Sequence, residues 1–446
     1  MAKTRQVALD ILLSIEKEKS FSNIALNKMI PKTMERRDEN FIRELVYGVI
    51  ENKLYIDYII KNASKIKIKK IHPLVMSILR LGIYQIIFMD SVPNSAAVNE
   101  SVNLAKKRGH KGTITFVNGV LRNISRNPSE FNRLDSNKPL EYLSIKYSHP
   151  EYLVEEWLGQ YGYDFTEKLL EANNLTPPLN IRVNTLKTNR EDLIKKLKVK
   201  NIECEKGILS KSSLMVKNPH RIIESDEFKS GLFTIQDESS MLVGQVLNPQ
   251  EGSLVLDMCS APGGKATHIA QLMNNKGRII ARDIYDHKIK LIEENIKRLD
   301  AKIIETELFD ALKLDDKLIN KVDYCLIDAP CSGLGLIRRK PEIKWNRKKN
   351  HIEDLISLQY QILNTGKNYI KDGGILLYST CTIYDGENLS MIRSFLENNK
   401  NFRLEPITEI DEQFDEYGTL KDGFIQLYPH IHGTDGFFIA KMKKQG

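Results

Sequence analysis

The feature that most constrains the fold is an alternation of apolar strands and helices after residue 250. Short apolar runs at 253–258, 278–282, 324–327 and 375–378 are separated by segments with helical periodicity. Such alternation is typical of parallel strands joined by helical crossovers. The pattern predicts an α/β domain with a mostly parallel sheet over residues 246–446.

The N-terminal third has a different pattern. Apolar residues recur at helical spacing from about residue 3 to residue 126, and Pro73 stands where proline is preferred in a first helical turn. Residues 127–150 contain turn-forming segments, and the chain after them mixes helical and strand patterns. A length of 446 residues exceeds what one hydrophobic core usually supports. We therefore expect an all-α domain over 1–140, then a linker and a small α+β subdomain over 141–245.

Charge is distributed unevenly along the chain. The net charge is +8, but residues 1–140 hold 24 Lys and Arg against 13 Asp and Glu, which gives this part +11 and the remainder −3. Such a basic excess suits a domain that meets phosphate groups, although a solvated lysine-rich surface explains it as well. The candidate phosphate contacts are Lys65, Lys67, Lys69, Lys70, Lys106, Lys107, Arg108, Lys111, Arg338, Arg339 and Lys340.

Composition excludes several classes of protein. No apolar run approaches the roughly 20 residues that a membrane-spanning helix needs, and the charged N-terminal segment differs from a signal peptide. The five cysteines form no Cys-x-x-Cys pair and have no nearby histidine at zinc-ligand spacing. Their odd number argues against a disulfide framework. We expect a cytoplasmic, monomeric protein with no membrane partner and no metal.

A strand, a glycine turn and the start of a helix follow one another at 254–268. Glycines let the backbone pass close to a ligand, and the amides of a helix N-terminus can face it. Asp283 follows at the end of the next strand, where a carboxylate can accept hydrogen bonds from ribose hydroxyls. Asp310 follows a third strand and is either a contact to a base or a helix N-cap. The residues of the turn are Cys259, Ser260, Ala261, Pro262, Gly263, Gly264 and Lys265.

Two cysteines follow two further apolar strands, Cys331 in Asp-Ala-Pro-Cys and Cys381 in Ser-Thr-Cys. Ligands of open α/β sheets gather outside the carboxyl ends of the strands, so both thiols should face the crevice of the glycine turn. A thiolate there can add to carbon 6 of a cytosine, which makes carbon 5 nucleophilic towards a methyl sulfonium. The second cysteine can then assist release.

The strings Ser-Ala-Pro-Gly-Gly-Lys at 260–265, Asp-Ala-Pro-Cys-Ser-Gly at 328–333 and Ser-Thr-Cys at 379–381 together resemble the RNA cytosine-5 methyltransferase family. The resemblance implies S-adenosylmethionine as methyl donor, Cys381 as covalent nucleophile and Cys331 as the residue that assists release. It also implies that residues 259–265, Asp283, Asp310 and Asp328 line the donor site, with Lys265 and Asp328 reaching the target base. DNA cytosine methyltransferases attack from a Pro-Cys motif, so the presence of both cysteines favours RNA over DNA.

The resemblance extends over nearly the whole chain. Residues 93–100 and 116–122 resemble a NusB-like RNA-binding helical domain, and residues 181–184 and 234–240 resemble a small RNA-contacting, RRM-like subdomain. A NusB-like domain followed by a Rossmann-like methyltransferase domain is the layout of bacterial enzymes that methylate 16S (small-subunit) rRNA.

Two expectations concern the surroundings of the nucleophile. The target cytosine must leave its stack, and Trp345 or Tyr378 is expected to pack near it. Relatives often have two acidic residues before the asparagine that follows the nucleophile, whereas this chain has Asp385-Gly386-Glu387-Asn388. Gly386 is therefore expected to loosen this turn.

Three other functions remain open at this point. A tRNA cytosine-5 methyltransferase shares every catalytic residue with the rRNA enzyme. An RNA-binding or antitermination protein with an inactive methyltransferase domain would need neither Cys331 nor Cys381. An NAD-dependent dehydrogenase would be expected to carry Gly-x-Gly-x-x-Gly, which the glycine turn lacks. The two cysteines favour an active methyltransferase, but the chemistry alone does not separate rRNA from tRNA.

Overall fold

The computed structural model describes residues 2–18, 20–218 and 222–446, which divide into two compact units. The helical unit comprises Met1–Leu175 together with Ile337–Asn346. The sheet unit comprises Thr176–Leu336 and Arg347–Gly446. The segment that follows soon after Cys331 therefore belongs to the helical unit, although the chain on both sides of it belongs to the sheet unit.

The elements described up to Ala172 are all helical, and strands alternate with helices only after it. The helices are α1 (Ala2–Glu18), α2 (Ser22–Met29), α3 (Arg36–Glu51), α4 (Lys53–Ala63), α5 (Pro73–Phe88), α6 (Asn94–Arg108), α7 (Lys111–Arg126), α8 (Pro128–Phe131), α9 (Pro139–Lys146), α10 (Glu151–Tyr161), α11 (Tyr163–Ala172), α12 (Arg190–Val199), α13 (Asp226–Lys229), α14 (Glu238–Leu247), α15 (Gly264–Leu272), α16 (Asp286–Leu299), α17 (Ile343–Asn346), α18 (Lys349–Gly366), α19 (Leu389–Asn398) and α20 (Pro429–His432). The strands are β1 (Leu179–Val183), β2 (Cys204–Lys206), β3 (Ser213–Val216), β4 (Phe233–Ile235), β5 (Leu254–Asp257), β6 (Arg278–Asp283), β7 (Ile304–Leu308), β8 (Val322–Asp328), β9 (Ile370–Thr380), β10 (Phe402–Leu404), β11 (Phe424–Leu427) and β12 (Phe437–Lys444).

Helix α5 is the central helix of the helical unit. Pro73 opens its first turn and the His72 side chain accepts a hydrogen bond from the Leu74 amide, so the N-terminus is capped. Its sequence is apolar on nearly every side, and α1, α3, α4, α6 and α7 pack around it. Its buried Arg80 pairs with Asp57 at 2.8 Å, so the one strong charge inside the helix is compensated.

The region expected to be a linker is partly helical. Helices α8 and α9 each begin with a proline at the first turn, and they bury Phe131 and Leu143. The turn-forming prolines therefore start helices here, and the helical unit continues as far as Leu175. The domain boundaries at residues 140 and 245 remain predictions.

The small sheet at the start of the sheet unit has the order β2-β3-β1-β4, with every pair antiparallel. Helix α12 packs on it, and Leu193 and Leu197 join Ile181, Val183 and Phe233 in one core. The third strand thus lies between the first two, as in a split β-α-β unit. This is the predicted small α+β subdomain.

The large sheet has the order β10-β12-β9-β8-β5-β6-β7, and β5 to β9 are parallel. From β5 the chain proceeds to β6 and β7 on one side and then crosses to β8 and β9 on the other. The connections leave β5 and β8 in opposite directions, so a crevice opens at the carboxyl ends of these two strands. Asp257 and Asp328 are the last residues of β5 and β8.

Strands β10, β11 and β12 were not predicted. They extend the sheet by antiparallel pairing, with β12 between β9 and β10 and β11 also paired to β12. Strands β10 and β11 contain only three and four residues, too few for a period to be recognised. Strand β12 covers the outer edge of β9, the strand that leads to Cys381.

Candidate active site

Two thiols meet at the carboxyl ends of two parallel strands. Strands β8 and β9 are neighbours with Asp328 opposite Ser379, and the chain turns after each of them to reach a cysteine. The Sγ atoms of Cys331 and Cys381 are 3.2 Å apart. The hydrogen bond to Cys381, together with burial, raises the pKa of the Cys331 thiol well above its ordinary value. Cys331 is therefore held as a neutral thiol against the sulfur of Cys381.

An ion pair crosses the crevice between β5 and β8. Lys265, in the first turn of α15, places Nζ 2.5 Å from Oδ2 of Asp328 at the end of β8. Ser379 donates its hydroxyl to the other carboxylate oxygen at 2.9 Å. The negative charge of Asp328 is one cause of the raised pKa of Cys331, so the ion pair and the thiols share one electrostatic environment. The structure thus brings together all four residues predicted to act in catalysis.

The glycine turn between β5 and α15 forms a cradle at a helix N-terminus. Gly263 has φ +90°, a conformation that favours glycine, and its amide donates to the Ser260 carbonyl at 2.7 Å. The peptide bond between Ala261 and Pro262 is cis, and the Pro262 carbonyl accepts a hydrogen bond from the Asn295 side chain at 2.9 Å. Helix α15 begins at Gly264, so unpaired amides of its first turn are available at the cradle. Such a turn fits a ligand that carries a carboxylate or hydroxyl groups.

Two predicted carboxylates follow the next strands in order. Asp283 is the last residue of β6, and its Oδ1 accepts from the Tyr285 amide at 3.2 Å while Lys288 lies 3.5 Å away. Asp310 follows β7, and its Oδ1 accepts from the Leu312 amide at 3.0 Å within a turn. The alternative that Asp310 caps a helix is wrong, because the segment does not continue as a helix.

Sequence reasoning missed two charged residues under the glycine turn. Asp257 closes β5 and is completely buried, and this burial raises its pKa to about 7. Arg182 in β1 is completely buried as well, and it donates to the Gly264 carbonyl at 2.5 Å and to the Thr267 hydroxyl at 2.9 Å. A third hydrogen bond joins it to Gln236. The detectable signal in both cases was a charged residue in a mostly apolar strand, within β1 and at the end of β5.

The aromatic side chains expected near the target base have other roles. Tyr378 is fully buried, and its hydroxyl donates to the Glu387 carbonyl at 2.8 Å, so the prediction that it packs against the base is wrong. The indole of Trp345 donates to the Ile50 carbonyl at 2.9 Å and packs against the core of the helical unit.

The basic residues fall into two groups. Arg338 is buried, with 8% of its surface exposed, so it is not a surface contact for phosphate. Lys340 lies over the ring of Phe21 within the helical unit. The candidates of the first 140 residues are all exposed: Lys65, Lys67, Lys69, Lys70, Lys106, Lys107, Arg108 and Lys111.

Within the ranges that the structure describes, no helix is long and apolar enough to cross a membrane. Those ranges also contain no group of three or more His, Cys, Asp or Glu side chains placed to hold a metal ion. The cytoplasmic location and the monomeric state stay predictions.

Three families match successive parts of the chain. Residues 244–443 match the family described as 16S rRNA methyltransferase RsmB/F, and residues 2–126 match the NusB family. Residues 149–223 match a family described as Methyltr_RsmF/B-like, ferredoxin-like domain. The predicted NusB-like, small α+β and Rossmann-like methyltransferase domains are thereby confirmed.

Similar proteins span the whole chain. A probable ribosomal RNA small subunit methyltransferase B of Bacillus subtilis is 41% identical over 455 residues, which cover all of both chains. A protein of the same description from Synechocystis is 34% identical over all of both chains. The crystal structure of PH0851 superposes with a TM-score of 0.82 at 29% identity, covering 99% of this chain and 98% of that one. NSun6 from Pyrococcus horikoshii, solved with SFG, gives a TM-score of 0.61 at 28% identity over 67% of this chain and 98% of its own.

Proposed function

Because this chain belongs to the RsmB/F family of 16S rRNA methyltransferases, we propose that it methylates carbon 5 of one cytosine in small-subunit rRNA. Its cofactor is S-adenosylmethionine, which supplies the methyl group as an electrophile when bound. The observation that carries the cytosine-5 chemistry is the approach of the Cys331 and Cys381 sulfurs to 3.2 Å at neighbouring strand ends. We further propose that the enzyme acts as a monomer in the cytoplasm.

Cys381 is the nucleophile in this proposal. Its sulfur adds to carbon 6 of the cytosine, and the electron density that reaches carbon 5 lets this carbon take up the methyl group. The proton on carbon 5 then leaves to a base, and the bond between sulfur and carbon 6 breaks. Cys331 assists this last stage, because its sulfur already lies within hydrogen-bond distance of the sulfur that must depart.

Lys265 and Asp328 orient the base in this proposal. A carboxylate accepts hydrogen bonds, which matches the exocyclic amine on carbon 4 of cytosine and not the carbonyl that uracil carries there. Ser379 and Lys265 fix the Asp328 carboxylate, so it is positioned before the base arrives.

The glycine turn and two carboxylates hold the cofactor in this proposal. Residues 259–265 wrap the amino-acid part of the cofactor against the first amides of α15. Asp283 ends β6, where its carboxylate can accept from ribose hydroxyls, and Asp310 after β7 lies towards the adenine.

The test of the substrate is methyl transfer from labelled S-adenosylmethionine to protein-free small-subunit rRNA and to total tRNA, with mapping of 5-methylcytidine. Label in one rRNA cytosine is the expected result. Label in tRNA alone would retain the chemistry and overturn the substrate. No label in either RNA would favour an RNA-binding protein with an inactive methyltransferase domain.

The test of the mechanism uses the two cysteines separately. We expect Cys381→Ala to lower methyl transfer by at least about 10³-fold, since the nucleophile is lost. We expect Cys331→Ala to accumulate a covalent complex of protein and RNA, visible on a denaturing gel. Cys204→Ala, a change in the small sheet, is the control and should behave as the unaltered enzyme. Unimpaired methylation by Cys381→Ala would rule out the mechanism.

A further inference from the structure

Glu387 is a buried carboxylate that binds the loop of Cys331. Its side chain is completely inaccessible to solvent. Its Oε1 accepts from the Ser332 amide at 2.8 Å and from Gln359 at 2.9 Å, and its Oε2 accepts from the Ser332 hydroxyl at 2.5 Å. Ser332 is the residue directly after Cys331, so the carboxylate fixes the backbone that carries this thiol.

Asn388, the next residue, binds both neighbours of Cys381. Its Oδ1 accepts from the Thr380 hydroxyl at 2.6 Å, and its Nδ2 donates to the Thr382 carbonyl at 3.0 Å. A second bond from Nδ2 goes to Gln426 in β11 at 2.7 Å. The loop of the nucleophile is thereby held on both sides of the thiol.

The two loops are also joined to each other. The Ser332 and Thr382 hydroxyls are 2.8 Å apart, so the residues that follow the two cysteines share a hydrogen bond. A carboxylate is costly to bury unless hydrogen bonds replace its water, and here the replacement donors come largely from the Cys331 loop. A charged group in this place therefore stabilises one loop conformation more strongly than a neutral group would.

The segment that carries both residues is tightly packed, contrary to the expectation for Gly386. A Cβ atom on Gly386 would lie 2.8 Å from the Tyr384 ring and 3.1 Å from the Ile356 side chain. Glycine therefore lets the turn approach these side chains closely, and it does not loosen the turn. Glu387 and Asn388 are held in place from the N-terminal side as a result.

We propose that Glu387 and Asn388 are positioning residues that together set the relative placement of the two reactive thiols. Glu387 acts through the loop of Cys331, and Asn388 acts through the loop of Cys381. This inference rests on the proposed function, because it assigns to each residue the step that its cysteine performs. Glu387 therefore affects the release of the product, and Asn388 affects the formation of the covalent bond.

The experiment measures formation and release of the covalent RNA complex separately, by rapid quench of enzyme with rRNA and S-adenosylmethionine. We expect Glu387→Ala to slow release by about 10-fold or more and to accumulate the complex, as Cys331→Ala does. We expect Asn388→Ala to slow formation by a similar factor without accumulation. The control is Asp385→Asn in the same turn, because this carboxylate accepts from the Ser390 hydroxyl at an exposed position, and both rates should stay unchanged.

A conservative variant keeps the test independent of folding. Glu387→Gln retains an oxygen that can accept from the Ser332 amide, so we expect a slower release that is less severe than in Glu387→Ala. The melting temperature of each variant shows whether it still folds. If Glu387→Ala is unfolded, the release rate of Glu387→Gln tests the inference instead.

Two outcomes would overturn the inference. Equal loss of both rates in the Glu387 and Asn388 variants would indicate a purely structural role, and unchanged rates would indicate none. Failure of the proposed function would give a different result: the unaltered enzyme would itself form no covalent RNA complex that depends on Cys381.

Discussion

The sheet unit and the helical unit each bury a basic side chain that binds neutral oxygen atoms, and the two behave differently. Arg182 in the sheet unit is fully buried, with the Gly264 carbonyl and Gln236 among its acceptors. Lys344 in the helical unit is 1% exposed and donates to the Glu51 carbonyl at 2.9 Å and to Asn174 at 3.1 Å. Burial lowers the pKa of Arg182 to about 9 and that of Lys344 to about 7.

Arg182 and Lys344 differ in how firmly each side chain keeps its proton at neutral pH. A guanidinium with a pKa of about 9 stays protonated at neutral pH, so Arg182 presents a fixed fork of donors to the glycine turn. An ammonium with a pKa of about 7 is close to losing its proton, so Lys344 holds its partners in a pH-dependent manner. We therefore expect the buried arginine to support the candidate active site and the buried lysine to make the stability of the helical unit depend on pH.

The largest effect is expected from the arginine. Arg182→Met removes the guanidinium donors from the Gly264 carbonyl and the Thr267 hydroxyl, so the glycine turn loses the support of β1. We expect S-adenosylmethionine to bind about 10 to 100-fold more weakly, which corresponds to roughly 1.4–2.7 kcal/mol. Titration calorimetry with the methyl donor measures this change.

Arg182→Lys is the matched variant for this prediction. It keeps the charge but cannot reach the Gly264, Thr267 and Gln236 oxygens at once, so we expect only partial recovery of affinity. Unchanged affinity in Arg182→Met, with a lower melting temperature as the only effect, would show that the arginine is structural like Lys344. Arg182 and Lys344 would then have the same kind of role.

The sequence predicts this active site unevenly, for a physical reason. Cys331, Cys381, Lys265 and Asp328 are local to strand ends, and the rule that ligands gather at the carboxyl ends of parallel strands suffices to bring them together. Arg182 supports the glycine turn from a different sheet, about 80 residues earlier in the chain. Contacts of that range depend on the tertiary fold, and no period or spacing in one sequence reveals them.

The fold, like the active site, is predicted from the sequence only in part. The alternation of 3.6-residue and two-residue periods predicts the parallel strands β5 to β9 and the helices of the first 126 residues. It misses β10 to β12, which gain their structure from tertiary pairing: β12 pairs with β9, and β10 and β11 pair with β12. It also gives the wrong position for Tyr378, because an aromatic residue near a cysteine at a strand end looks the same in sequence whether it faces a ligand or the core.

A smaller, pH-dependent effect is expected from the lysine. The pKa of Lys344 in the folded state, about 7, lies below its ordinary value of 10.5, so the unfolded chain binds more protons between these values. The free energy of unfolding of the helical unit should therefore rise with pH from about 7 to about 10. In Lys344→Met this rise should disappear.

Hydrogen exchange of α4 and α10 at pH 7 and pH 9.5 measures the free energy for this prediction. Glu51 does not produce the same slope, because burial raises its pKa; the folded state then binds the extra proton, and the resulting slope has the opposite sign. The exposed Lys65→Met is the control and should leave the slope intact. A persistent slope in Lys344→Met would assign the pH dependence to another group and weaken the contrast with Arg182.

The smallest effect is expected from Trp345, the neighbour of Lys344 in α17. Trp345→Phe removes the hydrogen bond to the Ile50 carbonyl but keeps an aromatic ring against the helical core. We expect the helical unit to lose about 1 kcal/mol of stability while methyl transfer per folded molecule stays the same. Denaturant unfolding and steady-state transfer to rRNA measure the two quantities. A large fall in transfer without loss of stability would instead place this indole at the target cytosine. Segment 337–346 would then serve the chemistry, as Arg182 is proposed to do, and not only the helical unit.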